Sequence, residues 1–345
     1  MSKKYFYAVV AVLFLVVGCG KKKKEVEQAT QPAEPAFVFI EGFTQGTIYH
    51  IVYEHPQGKN IKPAIEKELE RFNNSLSTYI PTSTISKVNQ NLSIEVDTLF
   101  ERCFQRGKEI SKATNGAFDM TVMPLVNAWG FGFKNKENIT RTLVDSLQQT
   151  VGWQKVNIEN RQVVKQDTAT MLDASAIAKG YGVDVIAMLL DRYGCKNFMV
   201  EIGGEVSVKG KNKKGKLWRI GINQPKDNAP IKSELQAVVE LNNQALATSG
   251  NYRNFYIEGG KKFAHTIDPQ TGYPVQHSLL SATVVAADCM TADAYATSFM
   301  VMGMEKAKRI VKNSGELEAF FIYADDKGEY KTWISEGLKK QLKEL

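Results

Sequence analysis

The chain has 345 residues and a mass of 38.5 kDa, with 43% hydrophobic and 23% charged residues. These proportions are those of a globular protein and exclude a disordered chain, a collagen-like repeat and a multi-span membrane protein. The formal charge is +7, but residues 1–36 carry six Lys against three Glu, and the remainder holds 38 basic against 34 acidic groups. With no Arg-rich stripe, a nucleic-acid partner is not indicated.

Residues 1–18 read as a bacterial export signal. Lys3 and Lys4 supply its charge, and Phe6 to Val17 its apolar run. That run is about a dozen residues, against roughly 20 for a membrane-spanning helix. It ends in Leu15-Val16-Val17-Gly18-Cys19, which resembles a lipobox; Cys19 is then the first mature residue and the lipid carrier. The alternative is an ordinary signal peptide with an incidental Cys. Residues 19–36 are rich in Lys, Glu, Gln, Pro and Ala without hydrophobic periodicity, so a flexible tether is expected. Lys21 to Lys24 either touch anionic lipid or form a solvated run. The expected location is the bacterial envelope, with a lipid-anchored, periplasmic domain over residues 37–345.

In the domain, Phe37–Gly42 and Thr47–Tyr53 alternate around Gln45-Gly46 and predict a hairpin. Apolar spacing at Ile61, Ile65, Leu69 and Phe72 predicts a helix over 61–74. Asp97 is placed to cap a second helix ending at Asn115-Gly116. A third is expected from Ser175, as N-cap, to Tyr193, a fourth from Thr291 to Val301, broken at Gly303, and a fifth after it to about Asn313. Strands are expected at 153–165, 197–202, 205–209, 217–223, 235–241, 254–258, 281–286, 318–323 and 329–334. Strands and helices are interspersed without regular alternation. The expected class is therefore α+β, with a mixed or mostly antiparallel sheet in a single two-lobed unit. Cys103, Cys195 and Cys289 form no CxxC pair and read as small buried residues. The four His, at 50, 55, 265 and 277, are too scattered for a zinc cluster.

Five segments mix Gly, hydroxyl and carboxylate residues beyond what packing requires. Asn115-Gly116-Ala117-Phe118-Asp119 runs on to Trp129, Phe131 and Phe133, interleaved with Gly in a predicted loop; such a stretch lets backbone and flat rings approach a ligand. Asp173-Ala174-Ser175-Ala176-Ile177-Ala178-Lys179 places a carboxylate and a Lys at a helix start, which suits an anion. Glu201-Ile202-Gly203-Gly204-Glu205 is a weaker strand–turn–strand signal. Thr248-Ser249-Gly250-Asn251-Tyr252-Arg253 and then His265-Thr266-Ile267-Asp268-Pro269 suggest a phosphate or acid–base site. Finally, Asp293 and Thr297 are i and i+4 on a helix; a carboxylate and a hydroxyl on one face suit a hard cation such as Mg²⁺.

In this order, "GAFDMTVMPLVNAWGFG", "DASAIAKGYGVD", "ATSGNYRN", "HTIDPQTGYPV" and "ADAYATSFMVMG" resemble the ApbE family of FAD:protein FMN transferases, from about Gly46 to Gly303. The resemblance implies Mg²⁺-dependent cleavage of FAD, passage of FMN to a Thr hydroxyl of an acceptor flavoprotein as a phosphoester, and release of AMP. It implies metal contacts at Asp293, Thr297 and the Ala176 carbonyl. Ala296 stands where some members have Asp, and its methyl cannot ligate. Flavin-nucleotide contacts are implied at Tyr79, Ala117, Phe118, Asp119, Asp173, Lys179 and Ile267. A further flavin contact is implied at Gln45, which stands where Met is commoner. His265 is the candidate general base, with Asp293 as the alternative. Rival readings are an FAD pyrophosphatase releasing FMN and AMP, and a non-catalytic FAD-binding lipoprotein.

Overall fold

The computed structural model describes residues 34–132, 136–225, 234–251, 255–258 and 261–344. Cys19, Phe133, Tyr252 and Arg253 lie outside them. Residues 34–345 form one compact unit.

Its centre is an eight-stranded sheet. In spatial order the strands are Ala36–Thr44, Thr47–His55, Phe198–Ile202, Glu205–Lys209, Ala245–Gly250, Leu279–Ala286, Glu318–Ala324 and Tyr330–Ile334. Every neighbouring pair is antiparallel. Antiparallel order follows from short turns: Thr44 faces Thr47 across Gln45-Gly46, and Ile202 faces Glu205 across Gly203-Gly204. All four turn residues have positive φ, so these glycines are conformational requirements.

Period-two alternation gives the sheet two apolar faces. On one, Ile51, Tyr53, Val200 and Ile202 meet Val183, Ile186 and Leu190 of the helix Ala178–Arg192. Further along the same layer, Ala247, Ala282 and Val284 meet Ala292, Ala296 and Phe299 of the helix Cys289–Met302. On the other, Val206, Val208, Leu246 and Val285 pack on Trp218, Ile220, Val239 and Leu241. These belong to a three-stranded sheet of Trp218–Asn223, Leu235–Leu241 and Leu342–Lys343. The helix Cys289–Met302 is apolar nearly all round, as expected of an element packed on every side.

The helices Lys62–Leu76, Thr98–Ala113 and Met304–Ser314 and most expected strands lie within a few residues of their predicted bounds. Asp97 caps its helix by accepting from the amides of Leu99 and Phe100. Three expectations are corrected. The third helix begins at Ala178, not Ser175, and Ser175 caps nothing; the 175–177 stretch is instead a turn on which Asp173 accepts the Ser175 amide at 2.8 Å. The predicted aromatic loop contains a helix, Met123–Ala128, started by Pro124. The interior strand Ala245–Gly250, which ends in the hydroxyl-rich stretch Thr248-Ser249-Gly250, was not among the expected strands. Cys103, Cys195 and Cys289 are free and buried. No described helix is long and apolar enough to cross a membrane.

Candidate active site

A cavity of about 730 Å³ opens at the meeting point of the two core helices, the Gly203-Gly204 turn and the segment 117–132. Each of the five sequence segments contributes lining residues, among them Phe118, Lys179, Glu205, Thr248, His265 and Asp293.

The floor is the crossing of the two helices. Gly180 allows it: a Cβ there would sit 2.2 Å from the Cys289 carbonyl oxygen and 2.7 Å from Asp293 Cβ. At this contact the Gly180 amide donates to Asp293 Oδ2 at 3.0 Å. Asp184, one turn on, accepts the Cys289 and Met290 amides at 2.9 and 2.8 Å. It thereby satisfies two first-turn amides of the helix that carries Asp293, whose N-cap is Asp288. Loss of water raises the Asp184 carboxyl to about 7, with Asp288 nearby adding repulsion.

Asp293 is buried, and Thr297 is half-buried one turn later; both line the cavity. Among the described residues, neither the second Asp293 oxygen nor the Thr297 hydroxyl has a hydrogen-bond partner. The Ala176 carbonyl accepts no backbone hydrogen bond among them either, because the Gly180 amide goes to Asp293. Ala176 also lines the cavity. A carboxylate, a hydroxyl and a carbonyl oxygen left open on one wall suit a hard divalent cation that takes its remaining ligands from water and phosphate. The described residues hold no cluster of three His, Cys, Asp or Glu, so any ion here depends on such mixed oxygen donors. Ala296 is not among them. It is fully buried against the sheet with Ala292 and Phe299 and does not line the cavity.

Lys179 projects beside this floor, its ammonium 3.4 Å from Glu205 Oε1. Burial alone would lower the ammonium, but the Asp293 and Glu205 carboxylates together hold it well above its ordinary range. Lys179 is therefore a fixed cation at the cavity wall. Glu205 is itself buried, and burial pushes its carboxyl up. Its second oxygen has no partner.

Asp173 also lines the cavity. The Asn89 side chain grips its neighbour Leu172 in both directions, at 2.8 and 2.7 Å, and the Asp173 amide donates to the Met120 carbonyl. Desolvation raises the Asp173 carboxyl. Asp119 lines it too, but its oxygens are committed: Oδ1 accepts from the Thr121 amide and hydroxyl, and Oδ2 from the Trp153 amide. Desolvation raises its carboxyl, and those hydrogen bonds oppose the rise. Asp119 thus braces the backbone that presents Ala117 and Phe118 to the cavity. Tyr79 stands exposed at the rim.

His265 and Ile267 enter from the segment before the Asp268-Pro269 turn. The turn closes through Gly272 N to Asp268 O at 2.8 Å, and Trp129 Nε1 donates to the Gly272 carbonyl at 2.9 Å. Phe131 packs edge-on against His265, with ring centroids 6.4 Å apart. The aromatic segment therefore holds the histidine loop in place. Gln45 departs from expectation. Its side chain packs against Gly182, its Nε2 is buried without a partner, and it does not line the cavity.

The sequence profile of the ApbE family matches residues 45–321. The chain belongs to the ApbE family. A relative from Haemophilus influenzae, named FAD:protein FMN transferase, is 38% identical over 89% of this chain and 92% of its own length. The flavin transferase ApbE of Vibrio cholerae superposes with a TM-score of 0.79 at 35% identity, covering 89% of this chain and 99% of that one. The apo flavinyl transferase ApbE of Pseudomonas stutzeri gives 0.79 at 29% identity over 89% and 97%. The α+β fold expected from sequence is the ApbE fold. Two carboxylates of this ApbE site, Asp184 and Glu205, were not assigned from sequence. Glu205 and Ser207 alternate with Val206 and Val208, so the carboxylate falls on the helix-covered face of an interior strand. A charge there demands a partner, and that was the readable signal. Asp184 carried no such mark.

Proposed function

We propose that the chain is an enzyme that transfers the FMN moiety of FAD to a Thr hydroxyl of an acceptor flavoprotein, with Mg²⁺, releasing AMP. The observation that carries this reading is the convergence of Asp293, Thr297, Ala176, Lys179 and His265 on one cavity. Asp293, Thr297 and the Ala176 carbonyl would hold the ion. When bound, Mg²⁺ supplies charge neutralisation at the pyrophosphate. Lys179, fixed by Glu205, binds the same negative charge from the side. Ala117, Phe118, Ile267 and Tyr79 provide apolar and aromatic surface for the flavin nucleotide. An imidazole nitrogen of His265 takes the proton of the incoming hydroxyl. A bond forms between the Thr oxygen and the FMN phosphorus as the pyrophosphate P–O bond breaks, and AMP leaves with the electron pair. Such reactions depend mainly on positioning and electrostatics, which this wall provides.

The deciding experiment incubates residues 20–345 with FAD and Mg²⁺, with and without an acceptor flavoprotein domain. Free AMP, free FMN and acceptor mass are measured. AMP release matched by an FMN-sized mass gain on the acceptor is expected. Equal free AMP and FMN with an unlabelled acceptor would replace this reading with a pyrophosphatase, and no AMP at all would leave an FAD-binding protein. We also propose that Cys19 carries a lipid that anchors the chain in the bacterial envelope, on the strength of its lipobox-like setting. Cys19→Ser is expected to abolish radiolabelled palmitate incorporation; labelling that persists would remove the anchor.

A further inference from the structure

A second hollow, of about 300 Å³, adjoins the cavity, and Ala117 and Val301 line both. Lys306 and Arg309 form its basic side. They lie at i and i+3 on the helix Met304–Ser314, on one exposed face. Among the described residues neither makes an ion pair or hydrogen bond, whereas Lys308 between them is paired with Glu305. Among the described residues the only carboxylate lining the hollow is Asp268, and its Oδ1 accepts from the Gln270 amide at 2.8 Å. Two unpaired cations thus face a surface beside the active cavity.

We propose that this hollow receives an acidic segment of the acceptor protein. The inference rests on the transferase reading above. If the pyrophosphate lies at Asp293 and Thr297, FAD has no further anion to place elsewhere. Asp293, Thr297 and Val301 mark one face of their helix, and this row leads from the reaction site to the hollow. Eight residues at about 1.5 Å each make that distance roughly 12 Å. An extended peptide covers it in about four residues at roughly 3.3 Å each. Val301 is only where the hollow begins and Lys306 and Arg309 lie on the following helix, so the partner the geometry fits is an extended loop with an Asp or Glu at least four residues from the acceptor hydroxyl. Complementary charge of this kind steers encounter and fixes register.

The test uses the mature chain, its Lys306→Glu/Arg309→Glu variant, FAD, Mg²⁺ and the FMN-binding domain of a Thr-flavinylated membrane flavoprotein. Expected are a rise of tenfold or more in KM for the acceptor domain, an unchanged kcat, unchanged FAD affinity by flavin fluorescence, and a flattened salt dependence of kcat/KM. Replacing the acidic residue near the acceptor Thr by Lys should restore affinity for the variant. Thermal melts control for folding. An unchanged acceptor KM would overturn the proposal, and weakened FAD binding would assign the hollow to the nucleotide instead. Anisotropy of the labelled acceptor domain reads docking without chemistry. A wild-type chain that cleaves FAD but labels no acceptor would therefore sink the transferase reading, while docking is scored separately.

Discussion

Asp293→Ala is expected to lower Mg²⁺-dependent AMP release from FAD by roughly 10²–10³-fold, because it removes the only charged ligand proposed for an ion worth several kcal/mol at the transition state. The fold is expected to survive. Among the described residues Asp293 accepts one hydrogen bond, from the Gly180 amide, and an orphaned buried amide costs about 1–3 kcal/mol. Asp293→Asn separates the two effects. It keeps an oxygen for Gly180 and loses the charge, so its melting temperature should stay near wild type while its activity falls with that of the Ala variant. Lys179 would also lose one of the two carboxylates that hold it charged. Near-normal metal-dependent turnover in either variant, titrated against Mg²⁺, would show that the ion is held elsewhere.

Gly180→Ala tests the scaffold rather than the chemistry. The added methyl would meet the Cys289 carbonyl at 2.2 Å, a contact with backbone that no rotamer can relieve. The two helices would have to separate at the point that sets Asp293 against Ala176. Overpacking of this kind costs about 3 kcal/mol at the upper end of its range. A drop of several degrees in melting temperature is expected together with a loss of AMP release. An unchanged melt would mean that the crossing is looser than described. A melt that falls while turnover persists would mean that the floor does not set the ion site.

Both predictions concern contacts between segments far apart in sequence, and there the sequence was only partly legible. Local signals read well. Asp97 as a cap and Gly203-Gly204 as a strand turn appear where expected, because each depends on neighbours within a few residues. The pairing of Asp293 and Thr297 on one face followed from helical periodicity alone. Ser175 was misread because a Ser before an apolar run looks like a cap. Here the Asp173 amide is tied to the Met120 carbonyl and the Gly180 amide to Asp293, and the helix starts one turn later. The helix Met123–Ala128 was hidden by surrounding Gly and aromatic residues, although Pro124 was a usable start signal. Gln45 and Ala296 occupy family motif positions with residues of different chemistry, and both lie outside the cavity lining. A motif position does not fix where a side chain of different chemistry will settle.

The strand order of the large sheet also bears on how the chain reaches this state. The hairpin of residues 36–55 forms from local contacts, but its inner edge pairs with the strand Phe198–Ile202. His50 and Glu201, partners across that edge, are 151 residues apart. Until the later strand arrives, the hairpin presents an open row of amides and carbonyls, a template for pairing with another chain. Closing so long a loop is slow compared with forming the hairpin itself. The exposed edge is thus the stage of folding at which this protein is most prone to associate with copies of itself.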